Sequence, residues 1–361
     1  MLGGERSMLA TLPALHRAGF QATVACPVKG LLSQTVQQRG ISLVEWSLHD
    51  THGQRRKLSD LRLQLAALLR VVEPDLVHAN SLSMARLAGP VVDGCDLPSV
   101  GHLRDIVKVS RQAVEDLNCH RCLIAVSGAT RKFHISQGVD PHRCVVSHNG
   151  VALDEFAPQV PTGYLHQELG LPETVRFVVT IGQLGIRKGI DIALEAVRRV
   201  ACERPDIHWL VVGERTSTKD ESQEFEADVR RSASAGVLSG RTHFLGTRSD
   251  VHDVLCESCL LLHAARQEPL GRVLLESAAA GLPVVATDVG GTSEIFPTTG
   301  DGGLLVPSES PAAMAAAALA LLGDESRRRA CGQQGRKRAE EAFDIEFTAE
   351  RLAWQYETLL S

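Results

Sequence analysis

The sequence predicts an α/β protein of two domains, each a parallel sheet wound by helices on both faces. Three observations predict it. Helical and strand-like segments alternate almost throughout, the pattern of parallel sheets wrapped by helices. The strand segments are short runs of Val, Ile and Leu, as strands covered on both faces are. The length of 361 residues suits two domains of roughly 150–200 residues better than one.

Taken in order, a helix is expected over residues 7–18, closed by Gly19, and then a strand over 21–26. Further strands are expected at 42–46, 75–80, 99–102, 123–126 and 143–147, with helices between them. After Asn149-Gly150 an irregular, Pro-containing stretch runs to about Glu173 and reads as the linker. The alternation resumes with a strand at 177–181, a helix at 191–202, and strands at 209–212, 242–245, 260–263 and 283–286. An amphipathic segment near 348–360 is expected to pack back on the first domain. The boundaries predicted are 1–158 for the first domain, 159–342 for the second and 343–361 for the terminal helix.

The start departs from this pattern. A doubly wound domain opens with a strand that leads into a Gly-rich loop and the first helix. Here only Met1-Leu2 precede Gly3-Gly4 and the helix. The expectation is a missing opening strand, two mid-sheet neighbours left without it, and a native chain that begins upstream.

Composition narrows the function. Hydrophobic content of 44% and charged content of 22% are those of a soluble globular protein. A net charge of −5 argues against a dedicated nucleic-acid binder, whose footprint would be a basic domain. Through Pro158 the chain carries 17 Lys+Arg against 14 Asp+Glu, and the remainder 21 against 29. The first half is therefore the one suited to anionic surfaces, although its densest cluster, Arg55-Arg56-Lys57, reads by itself as a solvated loop. No run reaches the ~18 apolar residues of a membrane span, and the Ala-rich stretch 312–322 reads as an ordinary packed helix. Gly3, Gly4 and Glu5 follow the start directly, so no signal peptide is expected, and nine scattered cysteines imply reduced thiols in a cytoplasm. Cys119/Cys122 and Cys256/Cys259 each sit where a helix hands over to an apolar strand, so they read as small buried hydrophobes rather than zinc ligands.

Two segments of the second half carry chemistry. The first runs from Glu268 through Pro269, Leu270, Gly271, Arg272 and Val273 to Glu276, out of an apolar strand and into a helix that ends at Gly281. Glu276 lies among Leu274, Leu275 and three alanines, where a carboxylate needs a hydrogen-bond donor. Either an arginine pairs with it or ligand hydroxyls do, a ribose being the natural partner; Glu268, at the helix mouth, would then face a sugar. The second segment is Gly182-Gln183-Leu184-Gly185-Ile186-Arg187-Lys188-Gly189, between a strand and a helix. Basic residues before a helix N-terminus oppose the macrodipole by about 0.3–1 kcal/mol, which makes sense where Lys188, Arg187 and backbone N–H groups converge on a diphosphate. The P-loop order and Gly-x-Gly-x-x-Gly are both absent, against ATPase and dinucleotide-oxidoreductase readings. In the first half, His102-Leu103-Arg104-Asp105 follows a strand, where an imidazole can orient a sugar hydroxyl or simply pack.

Together these residues resemble glycosyltransferase family 4, the retaining, group 1 type enzymes of GT-B architecture, in which two Rossmann-like domains face an interdomain cleft. The resemblance rests on Gly3-Gly4-x-Arg6-Ser7, the His102 loop, Ala125-Val126-Ser127, His148-Asn149-Gly150-Val151, the Gly182-to-Gly189 loop and Phe244-Leu245-Gly246. It continues through the Glu268-to-Glu276 segment and Gly281-Leu282-Pro283-Val284-Val285-Ala286-Thr287.

It implies an acceptor-side first domain and a donor-binding second one. Lys188 would hold the donor phosphates, Glu268 the donor sugar and Glu276 the ribose, with His102 on the sugar. Gly3, Gly4, Gly182, Gln183, Arg187, Gly271, Arg272 and Val273 would complete the donor site. Two departures stand out: Gln183 where many relatives have a second phosphate-binding arginine, and Ala264-Ala265 in place of a common Pro-Ser. No Asp-x-Asp pair is present, so the resemblance implies no cofactor and no metal, a UDP-sugar or GDP-sugar donor, and a glycan or lipid-linked acceptor. It also implies a cytoplasmic protein, with peripheral association at the inner face of a membrane as a further expectation. An inactive or truncated sugar-nucleotide-binding protein and a GT-B-fold sugar-nucleotide epimerase stay open as alternatives.

Overall fold

The structure, a computed structural model, describes residues 3–298 and 300–361. Met1-Leu2, where an opening strand was expected to be missing, lies outside them. The chain divides into two units: one holds the residues up to Gly150 together with Ile345–Ser361, the other Val151–Asp344.

In the first unit α1 (Gly3–Arg17), β1 (Thr23–Cys26), α2 (Leu31–Gln38), β2 (Ser42–Glu45), α3 (Leu58–Val72) and β3 (Val77–Ala79) alternate. They are followed by α4 (Leu82–Gly94), β4 (Ser99–Leu103), α5 (Arg111–Asn118), β5 (Cys122–Ala125), α6 (Gly128–Ser136) and β6 (Cys144–Val146). Among the described residues the strands form two parallel sheets, β1–β2 and β3–β4–β5–β6. Every residue of β4 and β5 is buried, because each is flanked by a strand on both sides and carries apolar or small side chains. Serines start three of the helices: Ser81, Ser110 and Ser127 accept from the N–H groups of Met84, Ala113 and Thr130. The Ala125-Val126-Ser127 string is therefore a strand end and a helix cap. Both Cys-x-x-Cys pairs bridge a helix and a strand. Cys119 ends α5 and Cys122 opens β5, where burial pushes its thiol up to about 12.

The second unit opens with α7 (Tyr164–Leu169), β7 (Arg176–Ile181), α8 (Ile190–Glu203), β8 (Ile207–Val212), α9 (Asp220–Ala233), β9 (Thr242–Gly246), α10 (Val251–Glu257) and β10 (Ser258–His263). It closes with α11 (Arg272–Ala279), β11 (Val284–Thr287), α12 (Thr292–Ile295), β12 (Gly303–Val306), α13 (Pro311–Leu322) and α14 (Glu325–Ala342). Its sheet is parallel throughout, in the order β12-β11-β10-β7-β8-β9. The core gathers around Trp209 on β8, whose indole N–H donates to Thr180 Oγ1 at 3.0 Å. Finally α15 (Ile345–Leu360) returns to the first unit, where Leu352, Ala353 and Tyr356 pack with Leu15, Val100 and Ile124.

The boundaries differ from the expected 158 and 342. Residues 151–158 belong to the second unit because their backbone bonds there: Val151 N–H donates to Phe343 O at 2.8 Å, and Arg336 reaches Leu153 O at 3.0 Å. The second boundary falls after Asp344. The expected linker also contains α7.

Candidate active site

Ligands of open parallel sheets gather beyond the carboxyl ends of the strands, where the strand order reverses. In the second unit that point lies between β7 and β10, which pair directly. The two segments that leave those ends are the two singled out in the sequence.

After β7, Gly182 turns the chain at φ 155, Ile186–Lys188 makes one 3-10 turn, and Gly189 adopts φ 62 before α8. A Cβ on Gly189 would lie 1.9 Å from the carbonyl oxygen of Ala264, just beyond β10. Only glycine allows the two segments this close. Arg266 fastens them together. Its N–H donates to Arg187 O at 2.9 Å, and its guanidinium reaches Ile186 O and both oxygens of Asp191, each at 2.8 Å, with Glu309 on its other edge. The backbone of residues 186–191 is thereby held against the β10 exit.

Lys188 Nζ, its stem lying over Gly182, donates to Glu268 Oε2 at 2.5 Å. The same oxygen accepts from His263 Nε2, the last residue of β10, at 2.9 Å. The Glu268 side chain is 7% exposed and that of Lys188 17%. Burial alone would raise the Glu268 carboxyl; the Lys188 charge and the His263 hydrogen bond outweigh it and hold the group well below the usual carboxylate range. Burial lowers His263 despite Glu268 beside it, so the imidazole is neutral and donates through Nε2. An ionised acid and a cation thus stand ready at the reversal point.

Beside them, Gly271 (φ 104) precedes the first turn of α11, which begins with Arg272 and Val273. Glu276, one turn on, is buried and accepts from Arg272 Nε at 2.5 Å, so in this state the arginine is its partner. Gln183 is exposed and donates to Thr216 Oγ1; the Arg187 side chain is exposed. Lys188 and Glu268 are brought into one bonded cluster with His263, the Arg187 backbone is bonded to Arg266, and Arg272–Glu276 form a second pair on the adjoining helix.

In the first unit the signals meet around Arg104. Its guanidinium donates to Asn80 O at 2.9 Å, Asn80 Oδ1 at 2.8 Å, Asn149 Oδ1 at 2.7 Å and His102 Nδ1 at 3.1 Å. Asn80 Nδ2 in turn donates to Gly4 O at 2.9 Å, and a Cβ on Gly4 would lie 3.1 Å from Arg104 Cδ. Gly4, His102 and Asn149, from three separate motifs, share one arginine. Gly3 begins α1, and a Cβ there would meet nothing within 4 Å outside its own helix among the described residues. His102 is buried, and its Nε2 has no partner among the described residues.

Sequence reasoning missed Arg104, His263 and Arg266 as organisers. Their only signal was position: each is a cationic or imidazole side chain at the end of a strand or just beyond it. Among the described residues no cluster of three or more His, Cys, Asp and Glu side chains is placed to hold a metal. No helix among them is long and apolar enough to cross a membrane.

The family model for glycosyl transferases group 1 matches residues 164–338, and that for glycosyltransferase family 4 matches residues 2–155. The lipopolysaccharide core biosynthesis mannosyltransferase LpsB of Rhizobium meliloti (strain 1021) is 30% identical over 240 residues, 66% of each chain. A GDP-mannose-dependent monoacylated alpha-(1-6)-phosphatidylinositol monomannoside mannosyltransferase of Corynebacterium glutamicum is 31% identical over 216 residues, 56% of this chain and 53% of its own. The phosphatidylinositol N-acetylglucosaminyltransferase GPI3 subunit of Saccharomyces cerevisiae matches over 38% of its length at 28% identity. These matches thus span between 38% and 66% of the relatives' own lengths. Anabaena HepE, solved in complex with UDP-glucose, has a TM-score of 0.85 at 22% identity, with 99% of this chain and 96% of that one covered. WaaG, a glycosyltransferase involved in lipopolysaccharide biosynthesis, has 0.69 at 19%, covering 97% and 95%. The fold is therefore the GT-B fold of those proteins. With both halves matched, the chain belongs to the group 1 glycosyltransferases, its first half of the family 4 type.

Proposed function

We propose that this protein is a retaining, metal-independent glycosyltransferase that moves a sugar from a UDP-sugar to a hydroxyl of a glycan or glycolipid. The observation that carries the reading is the Lys188–Glu268 pair, preformed where the strand order of the second sheet reverses. When the diphosphate departs, its growing charge meets the Lys188 ammonium and the first turn of α11, groups already oriented before reaction. Glu268, kept ionised by Lys188 and His263, accepts hydrogen bonds from the donor sugar. Glu276 exchanges Arg272 for the ribose hydroxyls, which releases the guanidinium toward the phosphates. The acceptor hydroxyl attacks on the face the diphosphate leaves, and a phosphate oxygen takes its proton; the new glycosidic bond forms as the sugar–phosphate bond breaks.

A uracil base is supported by HepE, whose solved complexes hold UDP and UDP-glucose. A membrane-linked acceptor, with peripheral association at a cytoplasmic face, is supported by the more basic first half and by the relatives named for lipopolysaccharide and phosphatidylinositol glycosylation. The test is release of nucleoside diphosphate from a panel of UDP- and GDP-sugars, with and without glycan acceptors, and NMR of the product's anomeric configuration. Acceptor-dependent UDP release, unaffected by EDTA, with retained configuration is expected. Release from GDP-sugars alone would overturn the choice of base, inversion the stereochemistry, and no release from any donor the transferase reading itself.

A further inference from the structure

Three side chains of the first unit form a hydrogen-bonded file. Tyr356 Oη on α15 lies 2.5 Å from His78 Nδ1 on β3, and His78 Nε2 lies 3.1 Å from His102 Nδ1 on β4. Arg104 Nη2 also points at His102 Nδ1, at 3.1 Å. A guanidinium can only donate, so His102 Nδ1 must present its lone pair. His78 Nε2 then carries a proton and shares that one lone pair with the Arg104 N–H, since two lone pairs facing each other at that distance would repel. With its proton on Nε2, His78 accepts at Nδ1 from the tyrosine hydroxyl. Every proton in the file is assigned by this chain, and the last falls on His102 Nε2, the buried atom with no partner among the described residues.

We propose that Tyr356 and His78 are positioning residues that lock His102 as a neutral imidazole, presenting its Nε2–H as a fixed donor to a sugar hydroxyl oxygen. The proposal rests on the reading of His102 as a sugar contact. It also gives the terminal helix α15 a part in the site: its register sets the tautomer of a side chain more than 250 residues earlier. The groups around the pair agree with it. Burial and the Arg104 charge hold both imidazoles far below their usual range, His78 at about 3, with His120 adding to the effect on His78. Burial raises the Tyr356 phenol, which stays protonated and able to donate. Phe20 packs edge-on against the Tyr356 ring at 5.3 Å, so Tyr356→Phe removes the hydroxyl and keeps the packing.

Two readouts on the full chain test it. Long-range 1H–15N correlation of 15N-histidine-labelled protein reports each imidazole's tautomer without turnover. His78 and His102 are expected as Nε2–H tautomers, unchanged between pH 5.5 and 8.5. In Tyr356→Phe the His78 tautomers should mix and kcat fall about 10-fold, the lower end of what losing an orienting partner costs, with KM for the sugar nucleotide unchanged. His78→Gln, which keeps a donor and an acceptor, should retain more activity than His78→Phe. A wild-type His102 protonated on Nδ1 or titrating near pH 6.5 would overturn the proposal, as would Tyr356→Phe with both tautomer and kcat unchanged. If Tyr356→Phe shifts the tautomer while His102→Ala leaves turnover intact, the relay stands and the sugar contact fails. A protein that turns over no donor sinks the transferase reading, and the spectrum still decides the relay.

Discussion

At the scale of single residues, the Lys188–Glu268 pair behaves differently from the surface ion pairs. Arg111–Glu115, with side chains 95% and 52% exposed, contributes at most about 0.5 kcal/mol. Lys188 and Glu268 are largely withdrawn from water, so removing one strands the other's charge at a cost of about 3–5 kcal/mol. Lys188→Met should therefore lower stability by about 3 kcal/mol, and adding Glu268→Gln to it should recover part of that loss. Urea unfolding of both singles and the double checks it: strict additivity would mean the two charges do not share one environment. The same single changes separate roles in turnover. Glu268→Gln should lower kcat by about 100-fold with little change in nucleotide affinity, while Lys188→Met lowers kcat and also raises the Kd for nucleoside diphosphate in calorimetry. Lys188 was legible because a cation before a helix start opposes the macrodipole, and Glu268 because it opens a patterned segment that runs from an apolar strand into a helix. Arg104, His263 and Arg266 give no such signal. Their importance comes from contacts such as Arg266 to Asp191, 75 residues back, which no local pattern encodes.

At the scale of elements, most strands were readable because a strand buried on both faces must be an unbroken apolar run. β5 (Cys-Leu-Ile-Ala) and β10 (Ser-Cys-Leu-Leu-Leu-His) are examples. β12 was not foreseen. Its four residues follow Asp301-Gly302, a sequence that reads as loop, and Gly302 is needed because a Cβ there would lie 2.1 Å from Gly335 Cα on α14. Nor was α9, whose sequence Asp-Glu-Ser-Gln-Glu-Phe-Glu-Ala is polar on most faces; it packs on the core through Phe225, Val229 and Ala233, with Arg215–Glu226 pairing beside them at 2.9 Å. The Gly182–Gly189 loop was expected to face an anion; what fixes its backbone is Arg266 on the neighbouring segment. Arg266→Met leaves Lys188 and Glu268 in place and frees residues 186–191. It should raise KM for the sugar nucleotide about 10-fold with a smaller change in kcat, as measured by initial rates. An unchanged KM would mean that Gly189 and the 3-10 turn alone set the loop.

At the scale of the whole chain, both units keep buried and half-buried histidines neutral. His78, His102, His120 and His134 in the first, and His208, His243 and His263 in the second, are all lowered by burial, His78 to about 3 and His208 to about 4. In the unfolded chain each titrates near pH 6.5. Below that pH the unfolded state binds protons the folded state refuses, so stability is full above about 6.5 and declines as the pH falls toward the folded values. For His78 alone the loss at pH 5 is about 2 kcal/mol. The carboxylate of Glu268, held low by Lys188, adds in the same direction only at more acidic pH, below its unfolded value. Urea midpoints should therefore drop steeply between pH 7.5 and 5. His78→Phe, which removes one such group, should show a shallower slope, by about half a proton on average over that interval and about one at pH 5. A flat profile would mean that the imidazoles are solvated and charge freely, and the fixed tautomers at the end of β4 would lose their physical basis with it.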